Sequence, residues 1–218
     1  ARWIAARQAG VTKAREEVPR RGAAGNVYLA AEVNLVFQSF RAVAPCVLDQ
    51  VVPSVALDML SYSSYDSQQV LPDFQAAMAF VLSKHRRTAA SPPGPSALLV
   101  GEFGLPQRDV PAEDVQRVVG DVVNSALAFG AAFVLFWEVY CNECALPGEG
   151  GCGPDARCRD PLRPVTLPEQ LRGFWLVRPD GSYSWPRKYL AAKLSGASPE
   201  ALQALRAAPP PAAARPGA

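Results

Sequence analysis

Apolar and polar positions along this chain follow two rhythms, a period near 3.6 and short continuous apolar runs. Trp3, Ile4, Ala6 and Val11 recur at near-helical spacing among Arg and Gln, which predicts a helix over residues 1–19 that stops at Pro19 and the loop RRGAAGN. The run VYLAAEVNLV predicts a first strand, followed by a short helix or turn, and VALDMLSYSSYD a second strand. A helical stretch follows from Ser67 to Arg87, ended by the Pro- and Gly-rich linker TAASPPGPS. ALLVGEF is the third predicted strand. The segment 110–130 then predicts a helix, with Pro111 in its first turn and apolar residues at 115, 118, 119, 122, 123 and 127. AAFVLFWEVY is the fourth strand, and SWPRKYLAAKL makes a last helix after a Cys- and Gly-rich loop.

Strands alternating with helices imply parallel strands joined by right-handed crossovers, hence an α/β fold. An open doubly wound sheet and a (β/α)8 barrel both satisfy that rule. No strand is followed by G-x-G-x-x-G or a P-loop, which removes support for nucleotide binding. Polar residues instead recur at the strand ends: Glu32 and Asn34, then Tyr62, Ser63, Tyr65 and Asp66, then Glu102, then Trp137 and Glu138. In a barrel these ends share the face that carries active sites, so their recurrence favours the barrel.

Composition narrows the chemistry further. Basic and acidic residues nearly cancel, 22 against 20, which leaves no electrostatic footprint for nucleic acid or an anionic membrane. The single histidine, His85, lies in the polar SKHRR at a helix end, which excludes a multi-histidine metal site and disfavours Ser-His-Asp catalysis. No apolar stretch reaches the roughly 18–20 residues of a membrane helix.

Glu102 raises the sharpest question, because a carboxylate ending a buried strand is costly unless it is paired, solvated or used. Gly101 and Gly104 flank it and leave room for a backbone or a ligand. The series AAEVNLV, DMLSYSSYD, LLVGEFG, FVLFWEVYCNE and GFWLVRPDGS resembles the second half of a cellulase-like (β/α)8 glycoside hydrolase, from Trp3 to Lys193. The resemblance implies that residues 1–206 form the C-terminal half of a TIM barrel, its strands five to eight, while the low-complexity Ala/Pro-rich composition of 207–218 predicts a disordered tail. It implies that Glu102 is the nucleophile of a retaining hydrolase acting on a β-linked poly- or oligosaccharide. Tyr62 and Tyr65 are then candidates to orient that carboxylate, and Trp137 to form a stacking floor for the sugar. Asn34, Glu32, Asp66 and Glu138 are candidates to bind sugar hydroxyls. A carbohydrate substrate is the implied partner, and the chemistry calls for no cofactor or metal.

The same resemblance places the acid/base glutamate, usually within an Asn-Glu pair, on a strand ahead of Trp3. The pair Asn142-Glu143 follows the eighth strand and does not inherit that role. The chain, which opens on Ala1 inside a helical pattern, is therefore expected to be a fragment that is inactive alone. The alternative is a non-catalytic carbohydrate-binding or interaction remnant of a barrel.

Cys141, Cys144, Cys152 and Cys158 crowd a loop spanning 141–158, with Cys46 apart. Two disulfides, a structural zinc and free thiols all remain open, and four cysteines allow three pairings. Disulfides fit a secreted or extracellular hydrolase, the localisation that the cysteines and the family's habit suggest.

Overall fold

The computed structural model describes residues 2–20, 27–34, 36, 47–108, 110–140 and 173–207. The expectations for the five cysteines, for Asn142-Glu143 and for residues 208–218 lie outside them.

The fold is α/β, with a four-stranded parallel sheet and helices alternating along the chain. Its elements are α1 (Arg2–Arg20), β1 (Ala30–Val33), α2 (Val47–Gln50), β2 (Met59–Ser63), α3 (Leu71–Ser83), β3 (Leu98–Phe103), α4 (Ala112–Phe129), β4 (Val134–Phe136), α5 (Trp185–Leu194) and α6 (Pro199–Ala207). The strands are hydrogen-bonded in the sequential order β1-β2-β3-β4, every pair parallel. Two compact units divide the chain, Ala1–Phe103 with Asp121–Phe136, and Gly104–Gly120 with Trp137–Ala218.

In the first unit β2 is buried on both faces along its whole length, as an inner strand of a parallel sheet should be. Tyr62 turns to the helix side and stacks on Phe74 of α3, ring centroids 6.4 Å apart. Phe74, Ala77, Met78 and Val81 recur at i, i+3, i+4 and i+7, so α3 buries one stripe. Lys84, at the C-cap of α3, pairs with Asp49 of α2 at 2.7 Å. Gln75 Nε2 of α3 donates to Ser125 Oγ of α4 at 3.3 Å, so the helices that follow β2 and β3 are neighbours.

Three local expectations are revised. β4 is shorter than the predicted ten-residue run, because Trp137 and Glu138 lie past its end. Ala126, not Leu127, completes the buried stripe of α4, and Leu127 is half exposed. The helix α6 was not anticipated, although Ser198 Oγ accepts from Ala201 N at 3.3 Å and Pro199 occupies its first turn, both standard start signals.

In the second unit, the backbone oxygens of Glu138 and Val139 accept from Leu176 N and Val177 N, at 3.0 to 3.1 Å and 2.9 Å. A tight turn at Arg178–Ser182 then folds Tyr183 back onto Val177, with Gly181 at φ +79°. Trp185 and Tyr189 of α5 stack at 4.8 Å, and Trp185 Nε1 donates to Leu205 O of α6 at 2.8 Å.

Candidate functional site

The two glycines beside Glu102 answer different needs. A Cβ on Gly104 would lie 2.4 Å from the backbone oxygen of Trp137 and 3.2 Å from Phe174 Cδ1, so Gly104 admits a backbone. A Cβ on Gly101 would lie 1.9 Å from Ser61 Oγ and 3.4 Å from Glu32 Oε2. Gly101 therefore admits polar side chains that lie across the sheet face.

That face carries a polar row. Side chains alternate between the two faces of a strand, so Ser61 and Ser63 share the face opposite Tyr62. Both serines are buried. Glu32 of β1 is exposed, and its Oε1 accepts a hydrogen bond from Ser63 Oγ. The β2–β3 register shifts between Tyr62 and Ser63: Tyr62 pairs with Val100, but Ser63 pairs with Glu102. One residue of β3, Gly101, is skipped. Without that bulge Ser63 would face Gly101, and Glu102 would sit on the helix side with Val100. The skip brings Glu102 into the row of Ser63, as bulges commonly re-aim a side chain at a site. The neighbouring backbone closes over the bulge, with Ser64 N donating to Glu102 O at 2.9 Å.

Sequence reasoning named Glu32, Ser63 and Glu102 at strand ends but missed Ser61, and it gave the two hydroxyls no place on a shared face. The signal was present in the alternation Ser61-Tyr62-Ser63.

Tyr62 stands elsewhere. It is fully buried, and its hydroxyl donates to Asp66 Oδ1 at 2.9 Å and meets Ser67 Oγ at 2.5 Å. Burial, reinforced by the Asp66 carboxylate, pushes its pKa well above the usual tyrosine value, so the phenol stays neutral. With its ring on Phe74 and its hydroxyl committed in the turn after β2, Tyr62 locks that turn against α3. Asp66 is thereby engaged by Tyr62. Tyr65 is half-buried in the same turn, and Asn34 is exposed just past β1. Trp137 and Glu138 directly follow β4, both half-buried and joined by a cis peptide bond. His85 is bound through Nε2 to Leu57 O at 2.7 Å, at the opposite end of β2 from Ser63.

A second polar centre lies at the N-terminal end of β2. Asp58 is almost wholly buried and accepts from Arg15 Nη2 at 2.5 Å, from Leu29 N at 2.6 Å and from the Thr88 hydroxyl. Burial alone would raise its pKa, but the Thr88 hydroxyl, the Leu29 N–H and the Arg15 guanidinium together hold it below the ordinary carboxylate value. It borders a cleft of about 280 Å³ between α1 and the strand ends, lined by Gln8, Thr12 and Arg15 among others. Because Arg15, the Leu29 N–H and Thr88 all donate to Asp58, this cluster ties chain segments together and serves stability.

Among the described residues no group of His, Cys, Asp and Glu is arranged to hold a metal, and no helix is long and apolar enough to cross a membrane. Searches with this chain match no family model, no curated protein and no solved structure.

Proposed function

We propose that the chain is part of a retaining glycoside hydrolase of half-barrel architecture, acting on a β-linked poly- or oligosaccharide, with Glu102 as the nucleophile. The observation that carries this reading is the position of Glu102: it lies in the C-terminal half of β3, in a parallel sheet, re-aimed by a bulge onto a face of hydroxyls and a second carboxylate. The sequential strand order supports the barrel over the doubly wound alternative, because a doubly wound sheet reverses its strand order at a switch point and this one does not. The hydrogen bond from Gln75 of α3 to Ser125 of α4 is compatible with that arrangement, since a barrel keeps successive helices on its outer surface.

The chemistry follows from that position. A carboxylate on a strand end is held rigidly and does not have to be ordered during attack on the anomeric carbon. Ser61 and Ser63, buried on the sheet face opposite Tyr62, offer hydroxyls for the substrate. The reaction needs no metal or cofactor. A place outside the cell fits the cysteine-rich loop.

The test is Glu102→Gln in a protein that also carries the acid/base strand, with turnover of aryl β-glycosides as the readout and the circular dichroism spectrum as the control for folding. Turnover should fall by several orders of magnitude with the spectrum unchanged. Activity equal to that of the parent chain would refute the nucleophile assignment.

A further inference from the structure

We infer that Ser64 is a positioning residue for Glu102: it clasps the backbone carbonyl of Glu102 just past the bulge that aims it. This rests on the reading of Glu102 as nucleophile.

The need for a clasp follows from the register. β2 and β3 pair regularly up to Tyr62 and Val100, then Gly101 is skipped and Ser63 pairs with Glu102. A bulge leaves one residue unpaired and interrupts the ladder, so the backbone just beyond it loses part of the hold of a regular strand. Glu102 is the first residue past that interruption. Ser64 supplies two donors there: its N–H reaches Glu102 O at 2.9 Å, and its hydroxyl reaches the same oxygen at 3.3 Å. A carbonyl oxygen has two lone pairs, and one residue serves both. The residue after Glu102 is fixed as well, since Phe103 is fully buried and meets Phe136 edge-on at 5.3 Å.

The hydroxyl goes beyond ordinary strand pairing. The N–H alone would continue the sheet, as an alanine at this position would do. Ser64 is nevertheless completely buried, and a buried hydroxyl is costly unless it is bonded. Among the described residues its partner is Glu102 O. The clasp is itself held: Ser64 O accepts from Ser67 N at 3.0 Å and from Gln68 N at 2.9 Å. The Ser67 hydroxyl meets the Tyr62 hydroxyl at 2.5 Å, and Tyr62 stacks on Phe74 of α3. A continuous line of buried groups thus runs from α3 through Tyr62, Ser67 and Ser64 to the Glu102 backbone. Ser64 bonds to that backbone and not to the carboxylate. It acts by keeping the strand end still, so that attack on the anomeric carbon starts from an ordered nucleophile.

The test isolates the attack and uses a protein that also carries the acid/base strand, as for Glu102→Gln. The probes are 2,4-dinitrophenyl 2-deoxy-2-fluoro-β-glycosides of glucose, mannose, xylose and galactose. A Glu102 carboxylate oxygen bonds to the anomeric carbon while the bond to dinitrophenolate breaks and its electron pair leaves with the phenolate. No proton donor is needed, and the fluorine slows release of the glycosyl-enzyme. Varying the probe concentration separates the rate constant of labelling from the dissociation constant of the probe, and peptide mapping identifies the labelled residue.

Ser64→Ala should lower the labelling rate constant by about 10- to 100-fold, the larger figure being the cost of a misplacement of about 1 Å, with the dissociation constant unchanged. Ser64→Cys keeps the volume but offers only a weak donor, and it should be slow too. Asp58→Asn weakens the fold from the other end of β2 and should label at the parent rate, which separates positioning from stability. Labelling of either Ser64 variant at the parent rate overturns the role of Ser64. So does a change confined to the dissociation constant, or an equal loss in Asp58→Asn. The Glu102 reading stands in each of these cases if the parent is labelled at Glu102. A parent labelled at another residue, or not at all, overturns both.

Discussion

At the scale of single residues, the space beside Glu102 is set by Gly101 and its neighbour Ser61. A methyl group on Gly101 would sit 1.9 Å from Ser61 Oγ, an impossible contact, but only 3.3 Å from Ser61 Cβ and 3.4 Å from Glu32 Oε2, where a few tenths of an ångström suffice. The clash is therefore with one hydroxyl. Gly101→Ala should cost about 1–3 kcal/mol, as overpacking in a filled site does. In a Ser61→Ala background the cost should shrink, giving a coupling of at least about 0.5 kcal/mol in a double-mutant cycle read by urea denaturation. Additive effects would mean that the two side chains do not compete for that space. The sequence already pointed to Gly101 as a site of close approach; what approaches it was hidden, because Ser61 and Glu32 reach it from other strands.

At the scale of elements, legibility followed the strength of the local signal. α3 and α4 could be read because their apolar stripes repeat over several turns, although Leu127 and Ala126 exchanged places, as one-residue uncertainty in a stripe's edge allows. β1 and β4 came out shorter than their apolar runs, since hydrophobicity marks burial and only pairing marks a strand. The register shift at Tyr62/Ser63 could not be read at all, because no residue type announces a bulge in a parallel pair and Gly101 alone fits several causes. Pairing also predicts the order of opening. β2 is bonded on both sides and buried on both faces, whereas β4 has three residues and Leu135 half exposed. Amide hydrogen exchange followed by mass spectrometry should find peptides covering Met59–Ser63 protected longest and those covering Val134–Phe136 exchanging earlier. The reverse order would mean that the sheet is not anchored on β2.

At the scale of the molecule, both sequence and structure give an α/β chain with parallel strands, and the sequential strand order adds what periodicity alone lacked. The candidate site was legible as residues at strand ends but not as a constellation, since Glu32, Ser63 and Glu102 come from three strands joined only by register. The opposite end of the sheet depends on a similar convergence. Asp58 gathers Arg15 from α1, the Leu29 N–H ahead of β1 and Thr88 beyond α3, so one carboxylate ties the first unit's distant segments together. Its folded pKa lies below the unfolded carboxylate value of about 3.9, so its contribution is complete above roughly pH 5. As pH falls the unfolded chain takes up the proton first, and the contribution drains away until pH passes below the folded pKa. Asp58→Asn removes the charge with little change of shape and should lower stability by about 1.5–3 kcal/mol at pH 7, the range for hydrogen bonds to a charged group. The gap in melting temperature between parent and variant should narrow steadily below about pH 4. A gap that stays constant from pH 7 down to about pH 2.5 would mean that the Asp58 carboxylate is not what secures α1 to the sheet.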